Sequence, residues 1–348
     1  MIYVKLKSVL ALIIGLGTAT VVFAQDANMQ LQLLRNPELL NQFQNGAGNS
    51  APSGVPSANS PTIQNANNFA EKHNAKKAYS SYEELAKDSN VDAVYIATPH
   101  SFHKEHAILC LRNKKAVLCE KPFAMNLSEV TEMIEAAKEN NVLLMEALWS
   151  FFLPHFTYVL DLVKSEKFGK LKSLEADFGF HTPYNTDSRL YKKELGGGSL
   201  LDIGIYPIFA ALATLGEPDA IDASATFFEN GADASCDMVF QYKNAKATLK
   251  STLLEEKPSI AILKFEKAIV KLNRQFHQSS SITIIQNNTE EIINFDFKTI
   301  GYNYETEHFN NLLRAGEKES NMMTFEFSKN LINTLDKVRG IIGLTYYN

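Results

Sequence analysis

The chain is short of several things, and each shortage removes a class of protein. Its three cysteines, Cys110, Cys119 and Cys236, are an odd count without metal-ligand spacing. That argues against a disulfide framework and against a structural zinc site. Positive charge is not in excess: 34 Lys and Arg face 39 Asp and Glu, for a net charge of -5. Such a chain has no electrostatic footprint for nucleic acid. No arginine pair precedes the first apolar run, so a twin-arginine export signal is lacking. A persuasive Gly-rich phosphate loop is lacking too. Gly15-Leu-Gly17 follows an apolar run, but Thr18 to Phe23 continues apolar and β-branched where a helix is needed. Gly46-Ala-Gly48 follows Gln-Phe-Gln-Asn rather than a strand and reads as flexible linker.

What is present is ordinary globular composition, 45% hydrophobic and 21% charged, over 348 residues. That length exceeds one comfortable core and predicts two domains. Residues 1–24 combine a basic start, an apolar run and a small residue at the break, the form of a signal peptide. The competing reading makes Leu12 to Thr20 a first strand entering a phosphate loop. The leader reading implies a periplasmic or secreted protein with no membrane contact after leader removal; the alternative is cytoplasmic. Residues 25–66 are rich in Asn, Gln, Ser and Pro, the composition of a disordered linker, with one short helix over Leu31 to Phe43 interrupted at Pro37.

From residue 67 to 149 strands and helices alternate. Ser81-x-x-Glu84 is a capping box, Val91 to Ala97 a strand, Phe102 to Asn113 a helix and Ala116 to Cys119 a strand. Asn126-x-x-Glu129 caps a further helix, and Val142 to Ala147 is a strand again. This order predicts a parallel sheet with right-handed crossovers. Residues 150–348 change pattern. Period-two alternation from Leu174 to Phe180 and from Ile221 to Phe227 opens a predominantly antiparallel sheet of about five or six strands, one face covered. Asn230-Gly231 and Asn287-Asn288 supply hairpin turns. Helices near Tyr304–Ala315 and Phe325–Leu344 close the chain. The fold class is α/β: a truncated Rossmann-type parallel sheet plus a C-terminal α+β domain with an open sheet.

Two stretches carry chemistry. Val117-Leu-Cys-Glu-Lys-Pro122 is a buried strand ending in polar residues, and Val91 to Ala97 ends in Thr98, Pro99, His100 and His103. Ligands of open α/β sheets sit just outside such strand ends. Lys121 there either donates to a substrate oxygen and lowers a neighbouring acid's pKa, or is a solvated surface lysine. The second stretch runs from Gly196 to Pro207. Its glycines let the backbone approach a neighbour closely, and Asp202 and Tyr206 share a helix face that Pro207 disturbs. That is either a kinked core helix or a site. Trp149 and Phe152, after the last parallel strand, either line a substrate pocket or belong to the core.

Together these residues resemble the glucose–fructose oxidoreductase and inositol dehydrogenase superfamily, in its dihydrodiol dehydrogenase-like branch. The resemblance lies in Ile96-Ala-Thr-Pro99 with His103, Glu120-Lys-Pro122, Glu146-Ala-Leu-Trp149 with Phe152-Leu-Pro154, and the run from Gly196 to Pro207. It extends to Glu319–Thr324 and to Leu335–Arg339 with Ile342–Leu344, and so covers roughly residues 66–348. The resemblance implies binding of NAD or NADP and a small-molecule sugar or cyclic diol substrate. It also implies a homodimer formed through the C-terminal sheet. Lys121 and Tyr206 would be the catalytic pair with Asp202 beside them, and Thr98, Pro99, His103, Glu120 and Lys121 would lie along the cofactor. Phe151 stands where this branch often has an arginine. The family's opening strand, Gly-rich loop, helix and second strand are not legible. That leaves a second expectation, a non-catalytic relic whose C-terminal sheet serves as an interaction surface.

Overall fold

The computed structural model describes residues 10–14, 20–24, 67, 70, 71, 77–297 and 299–346. The chain forms two compact units. One comprises Met1–Leu148, Asp187–Arg189 and Glu305–Ser328; the other comprises Trp149–Thr186, Leu190–Tyr304 and Lys329–Asn348.

The first unit is built on five strands: β1 (Leu10–Ile14), β2 (Thr20–Ala24), β3 (Ala93–Ala97), β4 (Ala116–Glu120) and β5 (Leu144–Ala147). Their order is β2-β1-β3-β4-β5. β1, β3, β4 and β5 run parallel, and β2 returns antiparallel to β1. Strands covered on both faces need near-continuous apolar runs, and Val94, Ile96, Val117 and Cys119 are accordingly fully buried. Helices α1 (Tyr82–Lys87), α2 (His103–Arg112) and α3 (Leu127–Asn140) belong here. Ser81 caps α1 by accepting from the Glu84 N–H at 3.2 Å. The reciprocal bond goes one residue further back than a capping box predicts, since Glu84 accepts from the Ser80 N–H and hydroxyl. Asn126 caps α3 as expected, accepting from the Glu129 N–H at 2.9 Å.

The start of the chain differs from the sequence reading. Leu10–Ile14, assigned there to the apolar core of a leader, is strand β1, and it lies parallel beside β3 with Ile14 opposite Ala97. The sheet therefore has a strand in the position the reading left empty. An apolar, β-branched run suits a leader and a strand equally, and only the pairing partner decides. What departs from doubly wound order is the next step. Residues 15–19 are all that join β1 to β2, and β2 pairs back on β1. A parallel crossover needs a dozen residues or more. The linker assigned to 25–66 lies outside the described residues.

The second unit opens with α4 (Pro154–Lys164), a helix the sequence reading missed although Pro154 occupies the favourable first turn. Eight strands follow: β6 (Leu171–Gly179), β7 (Ala220–Phe227), β8 (Asp233–Tyr242), β9 (Ala245–Thr252), β10 (Ala261–Phe265), β11 (Ile269–Leu272), β12 (Ile282–Gln286) and β13 (Thr289–Ile293). The sheet order is β13-β12-β11-β10-β6-β9-β8-β7. Only β6 and β9 pair in parallel. The count exceeds the expectation because Ile260–Val270 is broken at Glu266-Lys267; the expected turn at Asn287-Asn288, with φ of 52° and 62°, separates β12 from β13. Leu174, Ala176, Met238, Phe240, Ala247 and Leu249 are buried on one face. The other face carries Glu175 paired with Lys264, and Asp237 paired with Lys250.

Helix α5 (Ile205–Leu215) continues an apolar helical run, Lys193–Leu215, whose most apolar window is 89% buried within the protein. Helices α6 (Tyr302–Ala315) and α7 (Phe325–Ile342) each pass from one unit to the other along the chain. Cys110, Cys119 and Cys236 are free and buried. Burial holds the Cys119 thiol well above its ordinary pKa.

Candidate active site

In the first unit the C-terminal ends of β3 and β4 gather the polar residues. Thr98 and Pro99 follow β3; Glu120 ends β4 and leads into the Lys121-Pro122 peptide, which is cis. His103 ties the two ends together. One ring nitrogen lies 2.8 Å from the Thr98 carbonyl oxygen and the other 2.9 Å from that of Pro122. Burial lowers its pKa to about 4, so the ring is neutral and its single proton serves one carbonyl at a time. The Thr98 hydroxyl meets His106 Nδ1 at 3.2 Å.

Lys121 is buried, as are Glu146 and Glu305, while Glu120 is half-buried. The Tyr95 hydroxyl donates to Glu120, and the Lys121 N–H donates to the same carboxylate at 3.2 Å. Burial raises the Glu120 pKa, opposed by the Tyr95 hydrogen bond and by the Lys121 charge. Glu305, in the first turn of α6, is held well above the ordinary range by burial and by the Glu120 charge. Glu146 on β5 is pushed up to about 7, mainly by burial. A buried cation among buried acids is the environment in which proton positions respond to ligands.

In the second unit the Gly196 to Pro207 run is shaped by close approaches. Gly198 has φ +124°, and a Cβ there would stand 2.1 Å from Asp233 Oδ1. The other oxygen of Asp233 accepts from the Ser199 hydroxyl at 2.9 Å and from the Leu200 N–H at 2.6 Å. Burial raises the Asp233 pKa to about 6. Leu200–Gly204, including Asp202, is wound as a π-helix, a widening that recurs at functional sites. Pro207 lies inside the continuous helical run, three residues after the π-helical segment, where its ring and missing N–H interrupt the regular bonding ladder. Gly204 lets this segment pack on β9, since a Cβ would lie 2.9 Å from the Ser251 hydroxyl oxygen.

Tyr206 is buried, and its phenol oxygen accepts from Trp149 Nε1 at 3.0 Å. Around it stand Phe178 and His277, with ring centroids 5.5 Å and 5.3 Å away. Trp149 stacks on Tyr302 at 4.0 Å, and Gly301, at φ +128°, leaves room beside the indole. Phe152 lies beside Phe151, which packs edge-on against Phe209.

The structure thus gathers Thr98, His103, Glu120 and Lys121 in one unit, and Trp149, Asp202 and Tyr206 in the other. Sequence reasoning gave no role to Glu305 or His277, and used Glu146 only as part of a motif. An acid within the apolar run Val142–Ala147 was a usable signal for Glu146, because buried acids need a reason. His277 and Glu305 carried no comparable signal. Among the described residues no group of three or more His, Cys, Asp or Glu is arranged to hold a metal ion.

The residues present fit a nicotinamide cofactor at the strand-end edge of the first unit. The pairing of Ile14 with Ala97 makes β1 and β3 finish together, with Thr98 and Pro99 next along the chain from β3. The buried lysine and carboxyls beyond β4 add the donors and acceptors a carboxamide and ribose hydroxyls require.

Comparison with known proteins agrees with this geometry. Residues 10–148 match the oxidoreductase family with an NAD-binding Rossmann fold, and residues 156–269 match the GFO/IDH/MocA C-terminal domain. The trans-1,2-dihydrobenzene-1,2-diol dehydrogenase of Xenopus laevis is 37% identical over 294 residues, covering 82% of this chain and 88% of that protein. The scyllo-inositol 2-dehydrogenase (NADP(+)) IolU of Bacillus subtilis is 33% identical, covering 82% and 89%. Among solved structures, the fold is shared with the aldose-aldose oxidoreductase of Caulobacter crescentus, with TM-score 0.73, 20% identity and coverage of 83% and 87%. It is also shared with a 3-ketoreductase of Actinomadura kijaniata in complex with TDP-benzene and NADP, with TM-score 0.68, 23% identity and coverage of 80% and 85%. On the matches of both halves and the identity to full-length relatives, the chain belongs to the GFO/IDH/MocA family of NAD-binding oxidoreductases.

Proposed function

We propose that the chain moves hydride between NAD or NADP and a hydroxyl-bearing carbon of a sugar or cyclic diol. The observation that carries the proposal is the buried Lys121 at the end of β4, set among buried carboxyls. Two relatives at 33% and 37% identity are named for six-membered rings bearing hydroxyls, which favours a cyclic diol. The nicotinamide ring supplies the hydride acceptor or donor. Lys121 and Tyr206 are the pair we assign to the substrate oxygen: Lys121 orients it and Tyr206 exchanges its proton. Asp202 keeps the surroundings of Tyr206 polar. Thr98, Pro99, His103, Glu120 and Lys121 hold the cofactor, His103 doing so by fixing the Thr98 and Pro122 carbonyls. Trp149 orients Tyr206 through its indole N–H, and Phe152 supports the apolar wall. Retention of both Lys121 and Tyr206 favours this reading over a non-catalytic relic.

The test is Lys121→Ala. Turnover should fall far more than the affinity for NADPH, measured by fluorescence titration. Equal loss of both would remove Lys121 from the chemistry. We further propose a homodimer through the C-terminal sheet, supported by an outer face on which acids and lysines alternate, as Glu175 with Lys264 and Asp237 with Lys250. Sedimentation of the purified chain at monomer mass would refute it.

A further inference from the structure

Glu146 is a charged residue on an otherwise apolar strand, and the reaction as proposed does not use it. It sits on β5 opposite Cys119 of β4 and is 2% exposed. One carboxylate oxygen accepts from the Phe123 N–H at 3.1 Å. Phe123 is the second residue after Lys121, so Glu146 grips the far end of the turn that presents the lysine. Ser328 of α7, in the same unit, lies close enough to favour the ionised carboxylate. The other oxygen, Oε2, is buried without a hydrogen-bond partner. The charged and titratable groups that face Glu146 are Glu120, Lys121 and Cys119, with Glu305 facing Glu120 in turn. Of these only Lys121 favours a negative charge on Glu146.

We propose that Glu146 is the positioning residue of the Lys121 turn: its carboxylate fixes the Phe123 peptide and supplies a counter-charge to Lys121, so that proton loss from Glu146 switches how firmly the lysine is held. The inference rests on the proposed role of Lys121 for its functional meaning, but not for its geometry. Ionised, Glu146 accepts from Phe123 and draws on the Lys121 ammonium. Protonated, it no longer offers that ammonium a counter-charge. Burial places the changeover close to neutrality.

The experiment uses the full chain labelled with 15N-phenylalanine. The Phe123 amide, assigned by its loss in Phe123→Leu, is followed from pH 5.5 to 8.5. Wild type should show a titration step in that amide near pH 7. Glu146→Gln keeps a carbonyl acceptor for Phe123 but cannot ionise, and should lose the step. NADPH affinity should vary across the same pH range in wild type and stay flat in Glu146→Gln. A step that persists in Glu146→Gln, or no step in wild type, overturns the proposal. The amide signal is read without cofactor, so it is separable from catalysis. If it behaves as expected while Lys121→Ala leaves hydride transfer intact, the proposed function fails and the coupling of Glu146 to its turn stands.

Discussion

The indole N–H of Trp149 donates to the phenol oxygen of Tyr206 over 3.0 Å, with both side chains buried. The indole N–H has that oxygen as its partner, and the bond is one of the contacts that orient the phenol. Tyr206→Phe strands a buried N–H, which costs about 1–3 kcal/mol. Trp149→Phe removes the donor and costs turnover about tenfold, the equivalent of one hydrogen bond of roughly 1.4 kcal/mol. Chemical denaturation of both variants and the double variant measures the coupling. Additive losses would show that the bond does not hold the phenol.

Gly198 has no room for a side chain. Its φ is +124°, and the atom a Cβ would strike is an oxygen of Asp233, whose other oxygen is already held by Ser199 and Leu200. Gly198→Ala combines backbone strain with a clash against a buried, fixed carboxyl, and should destabilise by more than about 2 kcal/mol. Gly216, at φ +79° but with open space around it, should lose only the strain component. Equal effects of alanine at the two positions would refute the contact.

Asp233 makes stability depend on pH in an uncommon direction for an acid. Burial lifts its pKa from 3.8 to about 6. The folded state therefore prefers the protonated form. Its contribution is complete below about pH 4 and is lost as pH rises through about 6, by roughly 3 kcal/mol. Asp233→Asn keeps an acceptor for Leu200 and cannot ionise, so its unfolding free energy should fall less than that of wild type between pH 4 and 7. Parallel curves for the two proteins would show that Asp233 titrates normally.

The return of β2 against β1 bears on the cofactor. Only five residues, 15–19, separate the strands, less chain than a helix-bearing crossover uses. Binding energy should then come chiefly from the nicotinamide side. The dissociation constant of reduced nicotinamide mononucleotide should lie within about tenfold of that of NADH, a difference of about 1.4 kcal/mol. A gap beyond about a hundredfold in a fluorescence titration would overturn this.

Much of the molecule is legible in the chain itself. The periodic runs gave β3, β4 and β5 and the helices between them, because a strand buried on both faces has few residue types open to it. Asn126 and Asn287-Asn288 announced a cap and a turn, since both depend on the residue's own side chain or backbone freedom. Lys121 stood out as a polar residue ending a buried strand, and Tyr206 through the proline beside it and the family resemblance of its run. Leu10–Ile14 was misread because an apolar strand and a leader are the same string until a neighbour pairs with one of them.

Local patterning thus determined the element types, the turns and the polar residues at the strand ends, all of which depend on contacts within a few residues. Tertiary structure alone decided that β1 lies beside β3, that Glu146 reaches the Phe123 peptide, and that Trp149 meets Tyr206 across 57 positions of chain. Those outcomes depend on hydrogen bonds and burial between segments far apart in sequence, and a residue's type does not say which distant partner will satisfy it.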